Sequence, residues 1–152
     1  MPSNHEKVSP DAKVKKAVNS VYGKKTDPIY GYEVDTLEAD HIMPLKEITE
    51  QSGLDQLSFE DQKAIANLEE NFMGLGKQTN ASKGAKSISA WSGHSKLGAI
   101  AEEAQQFLNQ KDEAARAAIA KAISERLERN EYLYQNKIEQ KLNERDKSIW
   151  FF

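Results

Sequence analysis

No cysteine occurs among the 152 residues. The fold therefore rests on no disulfide, and cysteine usage ties the chain to no redox compartment. Long apolar runs are also missing. No stretch is long enough to cross a membrane and no charged-then-apolar leader is visible, so this segment carries no address and no membrane insertion is expected of it. A third absence is local: from Asn71 to Ala101 there is no Asp or Glu, while Lys77, Lys83, Lys86 and Lys96 all fall there. Acidic residues crowd instead into Glu33 to Glu70 and the C-terminal third. The formal net charge of -3 argues against indiscriminate coating of nucleic acid, but it conceals this layout. Four lysines alone read as an ordinary solvated surface. With 38% hydrophobic and 30% charged residues, the chain suits one soluble, polar domain over residues 1–152 with a respectable core.

Two segments carry the chemistry. The first is Glu38-Ala-Asp40-His41-Ile-Met-Pro44, preceded by Gly31 to Leu37, whose alternation predicts a short strand. Asp40 and His41 then stand at a strand end, and Pro44 stops regular continuation. Neighbouring strand residues face opposite ways, so only an irregular strand end lets both serve one site. The second segment runs from Asn71 to Gly84, with Phe72, Met73 and Leu75 strand-like and Asn80 and Lys83 spaced to share one helix face.

Asp40-His41-Ile-x-Pro44, then Asn71, then Asn80-x-x-Lys83-Gly84 resembles the HNH endonuclease motif of the ββα-metal nucleases, over residues 38–84. The resemblance implies an α+β fold, mostly helical. A hairpin-plus-helix motif (core 32–90) would be embedded in helices, with long C-terminal helices as support (95–150). Many members hold a structural zinc on two cysteine pairs. Here Gly76 and Thr79 stand where the second pair would fall, so that zinc is excluded and packing must brace the motif.

The resemblance also assigns roles. His41, which titrates near neutrality, is the general base for water attacking a phosphodiester. The Asn71 region orients its imidazole through a side-chain or backbone oxygen. Asp40 and Asn80 ligate one divalent cation, Mg²⁺ first, with Mn²⁺, Ni²⁺ or Zn²⁺ as alternatives. Glu38, two residues before Asp40, is a further ligand or supports one. Lys83 holds a phosphate. Lys77, Lys86 and Lys96 form a phosphate track once they are set beside a nuclease-like motif.

The expected function is metal-dependent endonuclease, acting on DNA, with RNA as the alternative substrate. The motif without cysteine, after an Asp-Pro-x-x-Gly lead-in, resembles C-terminal toxin modules of bacterial polymorphic and contact-dependent toxins. That context implies a cognate immunity protein and delivery into a target-cell cytoplasm by a larger protein. A phage or restriction nuclease is the alternative setting. Two rival classes are a non-catalytic nucleic-acid-binding module on the same scaffold and a purely helical interaction domain.

The flanks predict support. Ser9-Pro10-Asp11 starts a helix capped by Ser9, with Val14, Val18 and Val21 inward, ending near Tyr22-Gly23. Gly23 to Gly31 reads as turns, and Leu45 to Leu57 as a helical turn plus loop. Ser58-x-x-Asp61 caps a helix over Phe59 to Leu68, with Phe59, Ala64, Ile65 and Leu68 inward. Trp91 reads as a core anchor more readily than as a base-stacking platform. His94 is a loop residue with no acidic or amide neighbour in sequence, ranked below His41. Leu97 to Leu108 forms one apolar stripe, Asn109 to Asp112 offers a break and fresh cap, and a long amphipathic helix follows. The terminal Ile149-Trp150-Phe151-Phe152 is expected to be docked.

Overall fold

The computed structural model describes residues 10–20 and 23–150, with side chains described as far as Arg145. The fold is α+β and mostly helical, built around two separate two-stranded antiparallel sheets. Strands β1 (Lys25–Thr26) and β2 (Glu33–Val34) form the first. In the second, β3 (Glu38–His41) pairs with β4 (Phe72–Leu75), with Asp40 opposite Met73 and His41 opposite Phe72. A purely helical domain is therefore not what this chain forms.

Helix α1 (Ala12–Val18) precedes the sheets. Between β3 and β4 lie α2 (Leu45–Thr49) and α3 (Phe59–Ala66), and α4 (Lys77–Lys83) follows β4 almost at once. One helix, α5 (Glu102–Trp150), runs for 49 residues. Its successive turns bridge two parts of the core. Ala104, Leu108 and Ala115 pack with Ile42, Met73, Leu75 and Trp91 behind the hairpin. Ile119, Ala122 and Ile123 pack with Met43, Ile48, Leu54 and Ile65. Past Arg129, whose guanidinium still reaches Asp61, Tyr132, Leu133, Tyr134 and Leu142 are exposed.

Several expectations change. The break at Asn109 to Asp112 is absent, because those polar side chains pair along the helix: Gln105 donates to Asn109 and Arg116 to Asp112. With no Gly or Pro in α5, nothing else interrupts it. Leu97 lies before α5 and is exposed. The cap of α1 is Asp11, which accepts from the Val14 N–H at 3.0 Å. Ser9, Val21 and Tyr22 lie outside the described residues, as does the environment of Ile149 to Phe152. Ser58 caps α3 as its motif predicts, through the Asp61 N–H at 3.1 Å. Phe59 is nonetheless 48% exposed and Ala64 is exposed too, so the inner face consists of Ile65 and Ala66 with Leu68 half-buried.

The lead-in to the motif is a brace. Asp27 is buried, and its carboxylate accepts from the N–H groups of Ile29 (3.1 Å), Tyr30 (2.8 Å) and, across 49 residues, Gly76 (2.8 Å). Next to it the Tyr32 hydroxyl accepts from the Thr79 N–H at 3.0 Å and meets Thr79 Oγ1 at 3.0 Å. The Tyr32 ring and hydroxyl lie so close to Gly76 that any Cβ there would collide with them. The positions where a zinc-binding pair would fall are thus the ones that the Asp27–Tyr32 turn holds.

Candidate active site

Strand β3, the start of α2 and α4 together present one cleft of about 560 Å³, and Asp40, His41 and Asn80 all line it. Both Asp40 and His41 reach it because β3 ends at His41 and the chain bends through Ile42 and Met43. Asn71 makes that bend. Its Oδ1 accepts from the Met43 N–H at 2.7 Å, its Nδ2 donates to the Met43 carbonyl at 3.0 Å, and its own carbonyl accepts from the Ile42 N–H at 2.8 Å. The side chain is wholly buried in these contacts. It neither touches nor steers the imidazole, so the orienting role expected of Asn71 gives way to one of shaping the strand end.

The imidazole has another partner. His41 Nε2 lies 3.1 Å from the Ala66 carbonyl at the end of α3, and Phe72 packs against the ring with centroids 4.3 Å apart. A carbonyl only accepts, so Nε2 carries the hydrogen and the Nδ1 lone pair is left free. Burial pushes the ring down to about 4, against the pull of the Ala66 carbonyl, and nearby Lys83 adds to the lowering. At neutral pH His41 is an unprotonated base.

Asp40 is buried, with Lys83 Nζ 2.7 Å from its Oδ2. The contact is a buried ion pair. Burial pushes the Asp40 carboxyl up to about 6, and the charge and contact of Lys83 hold it from going further. Lys83 itself has no solvent exposure and also donates to the His41 carbonyl at 3.1 Å. A lysine so enclosed does not present itself to a phosphate, contrary to expectation. The reason is the setting of α4: its face bearing Thr79 and Lys83 is turned inward, Thr79 onto Tyr32 and Lys83 onto the Asp40 carboxylate and the His41 carbonyl.

Asn80 shows how a supporting residue fixes a ligand. Its Nδ2 donates to Glu38 Oε2 at 3.1 Å, which commits the amide's nitrogen end and leaves Oδ1 as its open acceptor. Glu38 is not among the residues lining the cleft, so its place is behind Asn80. Among the described residues no three His, Asp or Glu side chains gather as a metal cluster. The set that faces the cleft is smaller, one carboxylate and one amide oxygen, and fits a hard cation that keeps most of its waters.

Lys46, at the start of α2, also lines the cleft and is exposed. Sequence reasoning passed over it because it lies between the two motif segments. Only the Asp-His-x-x-Pro spacing, which puts a helix start just after the bend, pointed there. Lys77, Lys86 and Lys96 are all exposed but do not line this cleft. Trp91 is buried and donates from Nε1 to Ser82 Oγ at 3.1 Å, the core anchor expected. The comparisons with known proteins find no matching family model, no matching curated protein and no matching solved structure.

Proposed function

We propose that this protein is a metal-dependent endonuclease of the HNH type, hydrolysing phosphodiester bonds of nucleic acid, DNA in the first place. The observation that carries the reading is the convergence of Asp40, His41 and Asn80 on one cleft between β3, the start of α2 and α4, with the imidazole's Nδ1 free. In this reading Nδ1 takes the proton of a water as its oxygen attacks phosphorus, and the P–O bond to the leaving sugar oxygen breaks. Asp40 and the Asn80 amide oxygen would hold the cation, with Glu38 fixing the amide. The bound cation supplies neutralisation of the charge that develops on the phosphate and the leaving oxygen. Lys46 brings a solvated positive charge to the same cleft.

Deployment as a bacterial toxin module, with an immunity protein as partner, rests on the sequence resemblance. The test is incubation of the purified protein with supercoiled plasmid and with total RNA across Mg²⁺, Mn²⁺, Ni²⁺ and Zn²⁺, with chelator controls. Metal-dependent nicking is expected, and no cleavage of either substrate with any metal would end the reading. One observation favours a second reading, a binding module without catalysis: the Lys83 ammonium already answers the charge of Asp40. Chelator-insensitive binding without cleavage is its mark.

A further inference from the structure

On the side of α4 away from the cleft lies a second concavity of about 550 Å³, between α4 and the turn at residues 93–98. Its polar lining comprises Gln78, Ser82, Lys86, His94 and Ser95, with no acidic side chain. His94 is the informative member. The backbone N–H groups of Lys96 and Leu97 donate to its Nδ1 at 3.0 and 3.1 Å. With Nδ1 accepting twice, the hydrogen of the neutral ring must sit on Nε2, as a donor.

The turn that carries His94 is fixed. The Tyr30 hydroxyl accepts from the His94 N–H and donates to the Gly98 carbonyl, both at 2.7 Å. Gly93 has φ +109°, and a Cβ there would stand 2.9 Å from both the Gly98 oxygen and the Tyr30 hydroxyl. Ser82 Oγ, donating to the Gly93 carbonyl at 3.3 Å, ties the turn to α4. Its hydroxyl is already engaged, and what remains for a ligand is Lys86, the His94 ring N–H, the Gln78 amide and the Ser95 hydroxyl.

We infer that this groove is a second phosphate subsite, in which Lys86 and the fixed His94 Nε2–H grip the backbone of the same polynucleotide strand whose reacting phosphate lies in the cleft. The inference rests on the nuclease reading for the identity of the strand. Asn80 and Gly84 line the cleft, Gln78, Ala81 and Ser82 line the groove, and at 100° per residue exposed Lys77 lies between them on the solvent side of α4. A strand crossing α4, about 10–12 Å across, would span both sites in about three nucleotides and pass Lys77 on the way.

The experiment is binding of DNA and RNA single strands, from about two to about eight nucleotides long, without metal and across a salt series. For the wild type, affinity should climb once the strand passes about four nucleotides. The variant joins Lys86→Ala to His94→Asn, because the Asn oxygen can still accept from the Lys96 and Leu97 amides while the outward donor is gone. It should lose the length-dependent gain, about tenfold, and its log-log salt slope should fall by about 0.7 to 0.9 for each phosphate released. An unchanged melting temperature for the variant keeps the comparison one of binding. Equal affinity and slope in the two proteins overturns the subsite, as does a wild type that binds no strand. A wild type that shows the length-dependent binding yet cleaves nothing with any metal removes the catalytic reading and leaves the groove standing.

Discussion

The turn around Asp27 and the strand around Asp40 each bury a carboxylate, and they resolve its charge in opposite ways. Asp27 accepts from three backbone N–H groups, two in its own turn and one at the β4–α4 junction. Rigid dipoles occupy it, and nothing is left over for a ligand. Asp40 is met by a single lysine ammonium, and it lies on the wall of a cleft. Burial therefore still pushes its carboxyl up to about 6. The difference separates a carboxylate that holds a fold together from one that, on the proposed reading, serves the chemistry, although both read from sequence as acidic residues near turns.

The comparison sets how each region should fail, and the largest effect is expected at His41, beside Asp40. His41→Gln keeps a donor for the Ala66 carbonyl and removes the free lone pair, so turnover should drop by ~10² to 10⁴-fold with little loss of melting temperature. Plasmid nicking and thermal denaturation measured together check this, and activity within a few-fold of wild type would remove His41 as the base. Next comes Lys83→Met, which leaves Asp40 buried without its countercharge and should cost about 3–5 kcal/mol at pH 8.

The sign of the pH dependence follows from the raised Asp40 pKa. Between its ordinary value of 3.8 and about 6 the folded chain binds more proton at Asp40 than the unfolded chain does. The contribution of this carboxyl is thus most favourable at low pH and is lost as pH rises through about 6. Removing Lys83 raises the Asp40 pKa further, so the penalty should shrink at pH 5 and grow toward pH 8. Urea unfolding at both pH values reads it, and equal penalties would mean that Asp40 does not respond to Lys83.

Asp27→Ala should cost about 3 kcal/mol, since three backbone donors lose their acceptor and water reaches only some of them. The loss should appear in urea melts of the apoprotein, while whatever folded fraction remains keeps its affinity for metal. A folded variant with weakened metal binding would blur the contrast between the two carboxylates. The smallest effect is on metal affinity itself. Protons compete with a cation for Asp40, so calorimetric affinity for Mn²⁺ should fall by up to about tenfold per pH unit below about 6. No change between pH 7 and 5 would take Asp40 out of the ligand set.

The order hairpin, connector, helix and the meeting of Asp40, His41 and Asn80 at one place followed from the resemblance to the HNH motif, whereas alternation alone pointed to a strand over Gly31 to Leu37, too early for the strand at Glu38–His41. What escaped was set by tertiary register. Asn80 and Lys83 share a helix-face spacing, yet Lys83 goes under the helix because α4 rests on Tyr32 through Thr79 and on β3 through Lys83. Asp27-Pro28 looks like any turn opener, and no local signal announces that its carboxylate reaches Gly76. Asn71 was found by its position in the motif, but its partner, the Met43 backbone, is set by how the strand ends. In α5 the polar cluster at Asn109 to Asp112 mimicked a cap, and pairs along the helix absorbed it.

The far end of α5 bears on exchange kinetics. Helix initiation is the unfavourable event, and here the half packed on the core supplies it, so the 21 residues past Arg129 need only propagate. Their opening should proceed from the end inward, one hydrogen bond at a time, without disturbing the cleft. Amide-exchange protection along α5 should accordingly decline as a ramp from Asn130 toward Trp150 rather than fall in one step, with global-unfolding rates confined to the turns from Ala104 to Leu127.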